Sequence, residues 1–119
     1  MARVTVVDAS VLIAFMDPRD VHHVAAVEMR ADGAPPLIVH PVTAAEVLVA
    51  PVSNGQADEV WADLLAIGVE LDDTPMDPMQ FARLRVETGC RLPDCCVLSS
   101  AAAHGVPVAT FDERLRRSG

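Results

Sequence analysis

Short apolar runs alternate with segments of helical spacing along the whole chain. The apolar runs predict four buried strands, at residues 4–7, 37–39, 69–71 and 106–109. Helical spacing predicts six helices, one beginning at Val11, Leu12 and Phe15 and the others at residues 20–30, 43–50, 60–67, 77–87 and 93–104. Strands that alternate with helices predict an α/β fold, in which helices cover both faces of a parallel sheet.

The length of the chain and its loops predict one domain over residues 1–119. The loops at residues 31–36 and 53–56 are too short to be domain linkers. No apolar stretch reaches the roughly 18–20 residues that cross a bilayer, and the N-terminus lacks the pattern of a signal peptide. We therefore expect a cytoplasmic protein without membrane association.

Charge and cysteine content exclude two further classes. The formal net charge is −8, and all nine positive side chains are arginine. This balance argues against a protein that grips nucleic acid through a broad basic face. Three cysteines are an odd number and do not predict a disulfide framework.

Four acids stand apart from the others because of their surroundings. Asp8 follows the first predicted strand and Asp112 follows the last, and parallel sheets bind ligands at the carboxyl ends of their strands. Glu46 is the only charged residue between positions 33 and 56, and Asp94 opens an apolar helix. An ionised carboxylate among apolar groups is costly unless something compensates it. These four are therefore candidate functional residues.

Helix capping is the competing explanation for the same acids. Asp8 and Asp112 are placed to cap helices, and Asp94 lies near the positive end of one. Residues 43–46 and 110–113 also fit the capping-box pattern. The position of two acids at strand ends favours the joint functional interpretation. Most remaining acids, including Asp72 and Asp73, are interpreted as solvated surface.

Carboxylates that converge on one pocket repel each other, so that either their pKa values rise or cations bind. Hard oxygen ligands suit Mg²⁺ or Mn²⁺. Such ions neutralise a phosphodiester and activate water for in-line attack.

Four motifs in order carry a resemblance to a known family. The segments VVDASVLIA, TAAEVL and LPDCCVLSSAAAHGVPVATFDERL, with their spacing, resemble PIN-domain ribonucleases, and among these the VapC toxins of bacterial toxin–antitoxin pairs. The resemblance spans nearly the whole chain. It implies a three-layer α/β/α fold with a parallel sheet and metal-dependent endonucleolytic cleavage of RNA by water. Many members add a strand after the last acidic motif, so we expect four strands here instead of five.

The resemblance also implies functions for particular positions. It assigns catalysis and metal binding to four carboxylates, the acidic quartet, which consists of Asp8, Glu46, Asp94 and Asp112. It assigns supporting hydroxyls to Ser10 and Thr110, which would orient ligands or water.

Partners follow from the same resemblance. It implies a homodimer and an antitoxin that places a basic side chain in the acidic pocket, where carboxylates attract a guanidinium bidentately. Arg114, Arg116 and Arg117 form a basic tail beside the pocket. They are placed to contact RNA phosphates, or simply to favour the end of a helix.

The cysteines and histidines are expected to have no catalytic function. Cys95 and Cys96 are adjacent, so they point about 100° apart on a helix and cannot easily share a metal. No second Cys or His pair supplies zinc spacing, so we predict that the thiols pack as small apolar groups. The histidines are expected on a polar helix face (His22, His23), near a strand end (His40) and at a helix end (His104).

Other acidic α/β classes fit less well. A receiver domain requires a lysine, which this chain lacks. A phosphatase of the haloacid dehalogenase type requires an acid two positions after Asp8, where Ser10 stands. The alternative that remains is an inactive PIN-like domain that serves as a binding or assembly module, which need not hold Mn²⁺.

Overall fold

The chain alternates strands and helices as the periodicity predicts. The computed structural model describes residues 3–30 and 34–118. The strands are β1 (Thr5–Val7), β2 (Leu37–Val39), β3 (Val69–Leu71) and β4 (Val108–Ala109). The helices are α1 (Ala9–Met16), α2 (His23–Glu28), α3 (Pro41–Ser53), α4 (Ala57–Ala66), α5 (Pro78–Thr88), α6 (Leu92–His104) and α7 (Glu113–Ser118).

The four strands form one parallel sheet in the order β3-β2-β1-β4. β1 pairs with β2 on one side, where Val6 lies opposite Ile38, and with β4 on the other, where Val7 lies opposite Ala109. The strands run parallel, so the residues that follow β1 and β4 meet at one edge of the sheet. The predicted parallel sheet is confirmed, with four strands in the described ranges.

Helices cover both faces of the sheet, because alternate strand residues point to opposite sides. Val7 and Val39 pack with residues of α1, α3 and α4. Val6 and Ile38 pack on the other face with residues of α6 and α7. The three-layer α/β/α arrangement is therefore confirmed.

Several predicted boundaries are wrong for identifiable reasons. α2 is shorter than residues 20–30, because the Asp20 carboxylate accepts a hydrogen bond from the His22 backbone in a turn before the helix. β4 has two residues instead of four. α7 was not predicted; the carboxylate of Asp112 caps it by accepting from the Leu115 backbone at 3.2 Å.

The predicted capping box at residues 43–46 is also wrong. α3 begins at Pro41, and His40 caps it by accepting a hydrogen bond from the Val42 backbone at 3.0 Å. Thr43 lies inside the helix, fully buried, and its hydroxyl has no partner among the described atoms. Glu46 therefore gains nothing from a helix start. None of the helices in the described ranges is long and apolar enough to cross a bilayer.

Candidate functional site

Asp8 is the most firmly held member of the acidic quartet. It follows β1 directly and is 7% exposed. Its Oδ1 accepts from the Ser10 hydroxyl at 2.6 Å and from the Val11 backbone at 3.3 Å, which caps α1. Its Oδ2 accepts from the Thr110 hydroxyl at 2.5 Å. Asp8 therefore both caps a helix and joins the ends of two strands.

Ser10 and Thr110 form a hydroxyl network between β1 and β4. The Ser10 hydroxyl accepts from the Phe111 backbone at 3.1 Å, and the two hydroxyl oxygens lie 3.4 Å apart. Thr110 Oγ1 also accepts from the Asp112 backbone at 2.9 Å. The two positions named as supporting hydroxyls thus contact the acidic quartet directly.

Asp112 lies at the exposed rim of the same edge. Its Oδ1 accepts from the backbones of Arg114 and Leu115, which fixes the start of α7. The structure therefore shows the capping function that the competing interpretation predicts for Asp112.

Asp94 lies in the first turn of α6 and is half-buried. Burial raises the pKa of the Asp94 carboxyl, and the nearby charges of Asp112 and Asp8 raise it further. The guanidinium groups of Arg91 and Arg114 oppose this rise. The charges of two other members of the quartet therefore influence the pKa of Asp94.

Glu46 lies on α3 and is an exposed residue. Partial desolvation raises the pKa of its carboxyl, and the charges of Asp94 and Asp8 raise it further. The apolar residues on its helical face, Val42, Ala45 and Val49, are exposed. The apolar side chains that surround Glu46 in the sequence are therefore at the surface and do not enclose its carboxylate. The raised pKa of Glu46 thus combines partial desolvation, which is the larger cause, with the charges of carboxylates on other elements.

Sequence reasoning missed Arg91, which belongs to this site. Arg91 caps α6 by position, one helical turn before Asp94, and its side chain is exposed. Its charge lowers the pKa of both Glu46 and Asp94, so it offsets part of the repulsion among the carboxylates. Arg91 lies three positions before Asp94 in the sequence, and this spacing of one helical turn could have identified it as a neighbour of Asp94.

The side chains of the acidic quartet are of the kind that binds a hard divalent cation, although they do not surround one point. In residues 3–30 and 34–118, no three His, Cys, Asp or Glu side chains lie close enough to hold one metal ion. All four members of the quartet are carboxylates, the ligands that Mg²⁺ and Mn²⁺ prefer. Desolvation is the largest cause of the raised pKa values of Glu46 and Asp94, and neighbouring carboxylates, whose charge a cation would offset, raise them further.

Two arginines of the basic tail make hydrogen bonds within the protein. Arg116 donates to the Thr110 carbonyl at 2.7 Å and to Glu113 at 3.0 Å. Arg114 donates to the Gly89 carbonyl at 3.3 Å. Arg117 is exposed, and its side chain makes no hydrogen bond within the described residues, so it is the freest of the three.

Asp72 corrects a second expectation, because it is not a solvated surface acid. It is 7% exposed and accepts from the Ser100 hydroxyl at 2.5 Å and the Thr74 hydroxyl at 2.7 Å. His104, expected only to complement a helix end, lies 3.2 Å from the same carboxylate. Burial raises the pKa of Asp72, but these hydrogen bonds outweigh burial and leave it at about 2.

The remaining expectations concern thiols and imidazoles. Cys95 and Cys96 are buried and free, as predicted, and burial raises the pKa of both thiols. His40 is buried at the start of α3, where desolvation lowers its pKa. His22 precedes α2 and stacks on the ring of Phe111, so the expectation of an unengaged polar helix face is wrong for it.

Comparison with known proteins agrees with this geometry. A family model described as PIN domain matches residues 5–119. Among solved structures, the toxin VapC20 of Mycobacterium tuberculosis, described as cleaving the sarcin-ricin loop, superposes with a TM-score of 0.74 at 15% identity. The match covers 98% of this chain and 95% of that one. A search of curated proteins gave no match.

Proposed function

The chain belongs to the PIN-domain family, and from this premise we propose that it is a metal-dependent endoribonuclease that hydrolyses phosphodiester bonds of RNA. The observation that carries the proposal is the shared electrostatics of the quartet. The charges of Asp112 and Asp8 raise the pKa of Asp94, and those of Asp94 and Asp8 raise the pKa of Glu46. The four carboxylates come from four different segments of the chain. Carboxylates that raise the pKa of one another are costly to keep ionised, and a functional cation site would offset that cost.

Each residue has a proposed part in the reaction. Asp8, Glu46, Asp94 and Asp112 would hold Mg²⁺ or Mn²⁺, which supplies charge neutralisation at the phosphate and a more acidic water. Ser10 and Thr110 hold the Asp8 carboxylate in one orientation through their hydroxyl groups. Attack of the water oxygen forms a new bond to phosphorus and expels one ribose oxygen. The exposed guanidinium of Arg117, with those of Arg114 and Arg116, would contact phosphates of the bound strand.

We also propose that the enzyme is the toxin of a toxin–antitoxin pair. The fold shared with VapC20 supports this class of protein. A groove of about 630 Å³ opens beside Glu46 between α1 and α3, with apolar lining from Ile13, Met16, Val47 and Ala50. An antitoxin segment with apolar side chains and one arginine would match both the groove and the carboxylates. A cytoplasmic homodimer completes the proposal.

Cleavage of RNA by the purified protein tests the central claim. Total cellular RNA is incubated with Mg²⁺ or Mn²⁺, with and without EDTA, and compared for the wild type and Asp94→Asn. We expect discrete metal-dependent fragments and a loss of about 100-fold or more in Asp94→Asn, because charge stabilisation by a metal site contributes several kcal/mol to catalysis.

A matched control keeps the test specific. Asp63→Asn removes an equally charged side chain that is exposed on α4. Its fragments should equal those of the wild type. Equal cleavage by wild type and Asp94→Asn would point to a contaminating nuclease and contradict the proposal.

An inactive binding module is the second candidate, favoured by one observation. The carboxylates within residues 3–30 and 34–118 form no ready group of three metal ligands. Titration with Mn²⁺ discriminates the two, since a nuclease binds the ion and loses affinity in Asp94→Asn. Absence of Mn²⁺ binding together with absence of cleavage, in protein freed of antitoxin, would favour the binding module.

A further inference from the structure

Two aromatic rings are stacked just after the carboxyl end of β4. The centroids of the His22 and Phe111 rings lie 4.4 Å apart, and their planes differ by 6°. Phe111 stands between Thr110 and Asp112 in the chain, and its backbone N–H donates to Ser10 at 3.1 Å. The stack therefore begins one residue from two members of the hydroxyl and carboxylate network.

Contacts within the protein support both rings. Phe111 packs against the core that β1, α1 and α3 share. The backbone of His22 donates to Asp20 Oδ1 at 2.8 Å, which fixes the turn that presents the imidazole. His22 is exposed, and one face of its ring is covered by Phe111. A rigid, half-covered ring is the form of a stacking platform.

Other aromatic rings of the chain are used for packing. Phe81 is 8% exposed, and Trp61 packs against the core. Phe15 is partly buried in α1. The imidazole of His22, by contrast, is exposed and is not part of the core.

A protein of this charge needs contacts to RNA other than phosphate pairing. The net charge of −8 opposes a polyanion. Arg114 and Arg116, beside the pocket, already donate to backbone carbonyls of the protein. Base stacking is insensitive to the sign of the protein's charge, and it accepts any base, because every base has a π-face.

We propose that the imidazole of His22, supported by Phe111, is a platform on which an unpaired nucleobase next to the cleaved bond stacks. The inference rests on the proposed nuclease function and adds to it one contact between a side chain and an unpaired base. Bases in a duplex are already stacked on their neighbours and would not be free to bind there.

Cleavage kinetics on a short single-stranded RNA that contains a mapped cleavage site test the platform. Loss of one base–ring stack corresponds to about a tenfold change in affinity. We expect His22→Ala to raise KM about tenfold with kcat at saturation unchanged, whereas His22→Phe, which keeps a ring, retains the wild-type KM. Val24→Ala, which shortens an exposed side chain of the same segment, is the matched control and should change neither constant.

Abasic substrates separate stacking from a merely structural effect. At one nucleotide position, removal of the base should weaken wild-type binding about tenfold and leave His22→Ala unaffected. An equal loss for both proteins at every position would overturn the platform, as would a wild-type KM in His22→Ala. If the wild type cleaves no RNA at all, the proposed function itself fails. If it cleaves and His22→Ala behaves identically, only the platform fails.

Discussion

Thr110 shows how one hydroxyl can connect the sheet to the candidate site. It donates at 2.5 Å to the buried carboxylate of Asp8 and accepts at 2.9 Å from the backbone of Asp112. Hydrogen bonds to an ionised acceptor are stronger than those between neutral groups. Thr110 therefore stabilises the fold and orients a proposed metal ligand at the same time.

Thr110→Val tests both effects, because valine keeps the shape and removes the hydroxyl. We expect the free energy of unfolding to fall by about 1.5–3 kcal/mol, the range for a hydrogen bond to a charged group. Urea denaturation at neutral pH measures the change. Cleavage should fall as well, since Asp8 loses one of its donors.

Thr110→Ser is the control for that substitution. Serine retains the hydroxyl, so most of the stability and cleavage should return. A stability of Thr110→Val equal to that of the wild type would show that the bond to Asp8 contributes nothing net.

At the scale of elements, α6 is held at two places along its length. Its first turn carries Asp94, and its second half carries Ser100 and His104, which contact Asp72 after β3. Asp72 is buried, with 2% of its side chain exposed. The polar contacts tie the helix to the end of an edge strand and thereby fix its direction across the sheet.

The pKa of Asp72 predicts an acid-labile contribution to stability. Its carboxyl has a pKa of about 2 in the folded protein and an ordinary value of 3.8. Because the folded value is the lower, the unfolded chain binds more protons in this window. The stabilisation, about 2 kcal/mol, is present above the ordinary pKa and is lost as the pH falls toward 2.

Urea denaturation of wild type and Asp72→Asn between pH 6 and pH 2 checks this expectation. The wild type should be the more stable at pH 6, and the difference should shrink by up to about 2 kcal/mol in acid. Asp73→Asn alters the exposed neighbour and should stay within about 0.5 kcal/mol of the wild type. A difference that does not change with pH would mean that the Asp72 contacts do not depend on its charge.

At the scale of the whole molecule, α3 presents an apolar surface to solvent. Val49 is 68% exposed and Val52 is 64% exposed on that helix. Exposed apolar side chains that lie together mark interaction sites more often than isolated ones do. A second copy of the chain is the proposed occupant, which would place the homodimer interface next to the acidic pocket.

Light scattering after size exclusion measures this assembly. We expect twice the mass of one 12.7 kDa chain, and a shift toward the monomer in Val49→Asp, since a buried unpaired charge opposes association. Val86→Asp is the control, because Val86 is 85% exposed on α5, away from α3. A monomeric wild type would contradict the homodimer, and a dimer unaffected by Val49→Asp would place its interface elsewhere.

The sequence by itself determined the elements that depend on neighbours in the chain. Largely apolar runs of three or four residues located all four strands of the described ranges, because the strands of a parallel sheet covered on both faces are mostly apolar. Asp8 and Asp112 were found by the same logic, since Asp8 directly follows such a run and Asp112 lies three residues after one. The α/β alternation and the parallel sheet followed from these local patterns.

Tertiary structure decided what depends on residues far apart in the chain. Asp72 is buried because Ser100 and His104, 28 and 32 positions later, fold onto it. The pKa of Glu46 is raised by partial desolvation and by carboxylates on other elements, whereas the apolar face of its own helix is exposed. The stack of His22 on Phe111 likewise joins a turn before α2 to the end of β4. Periodicity reports which side of a helix is apolar, but only the packing of the layers decides which side is covered and which charges meet.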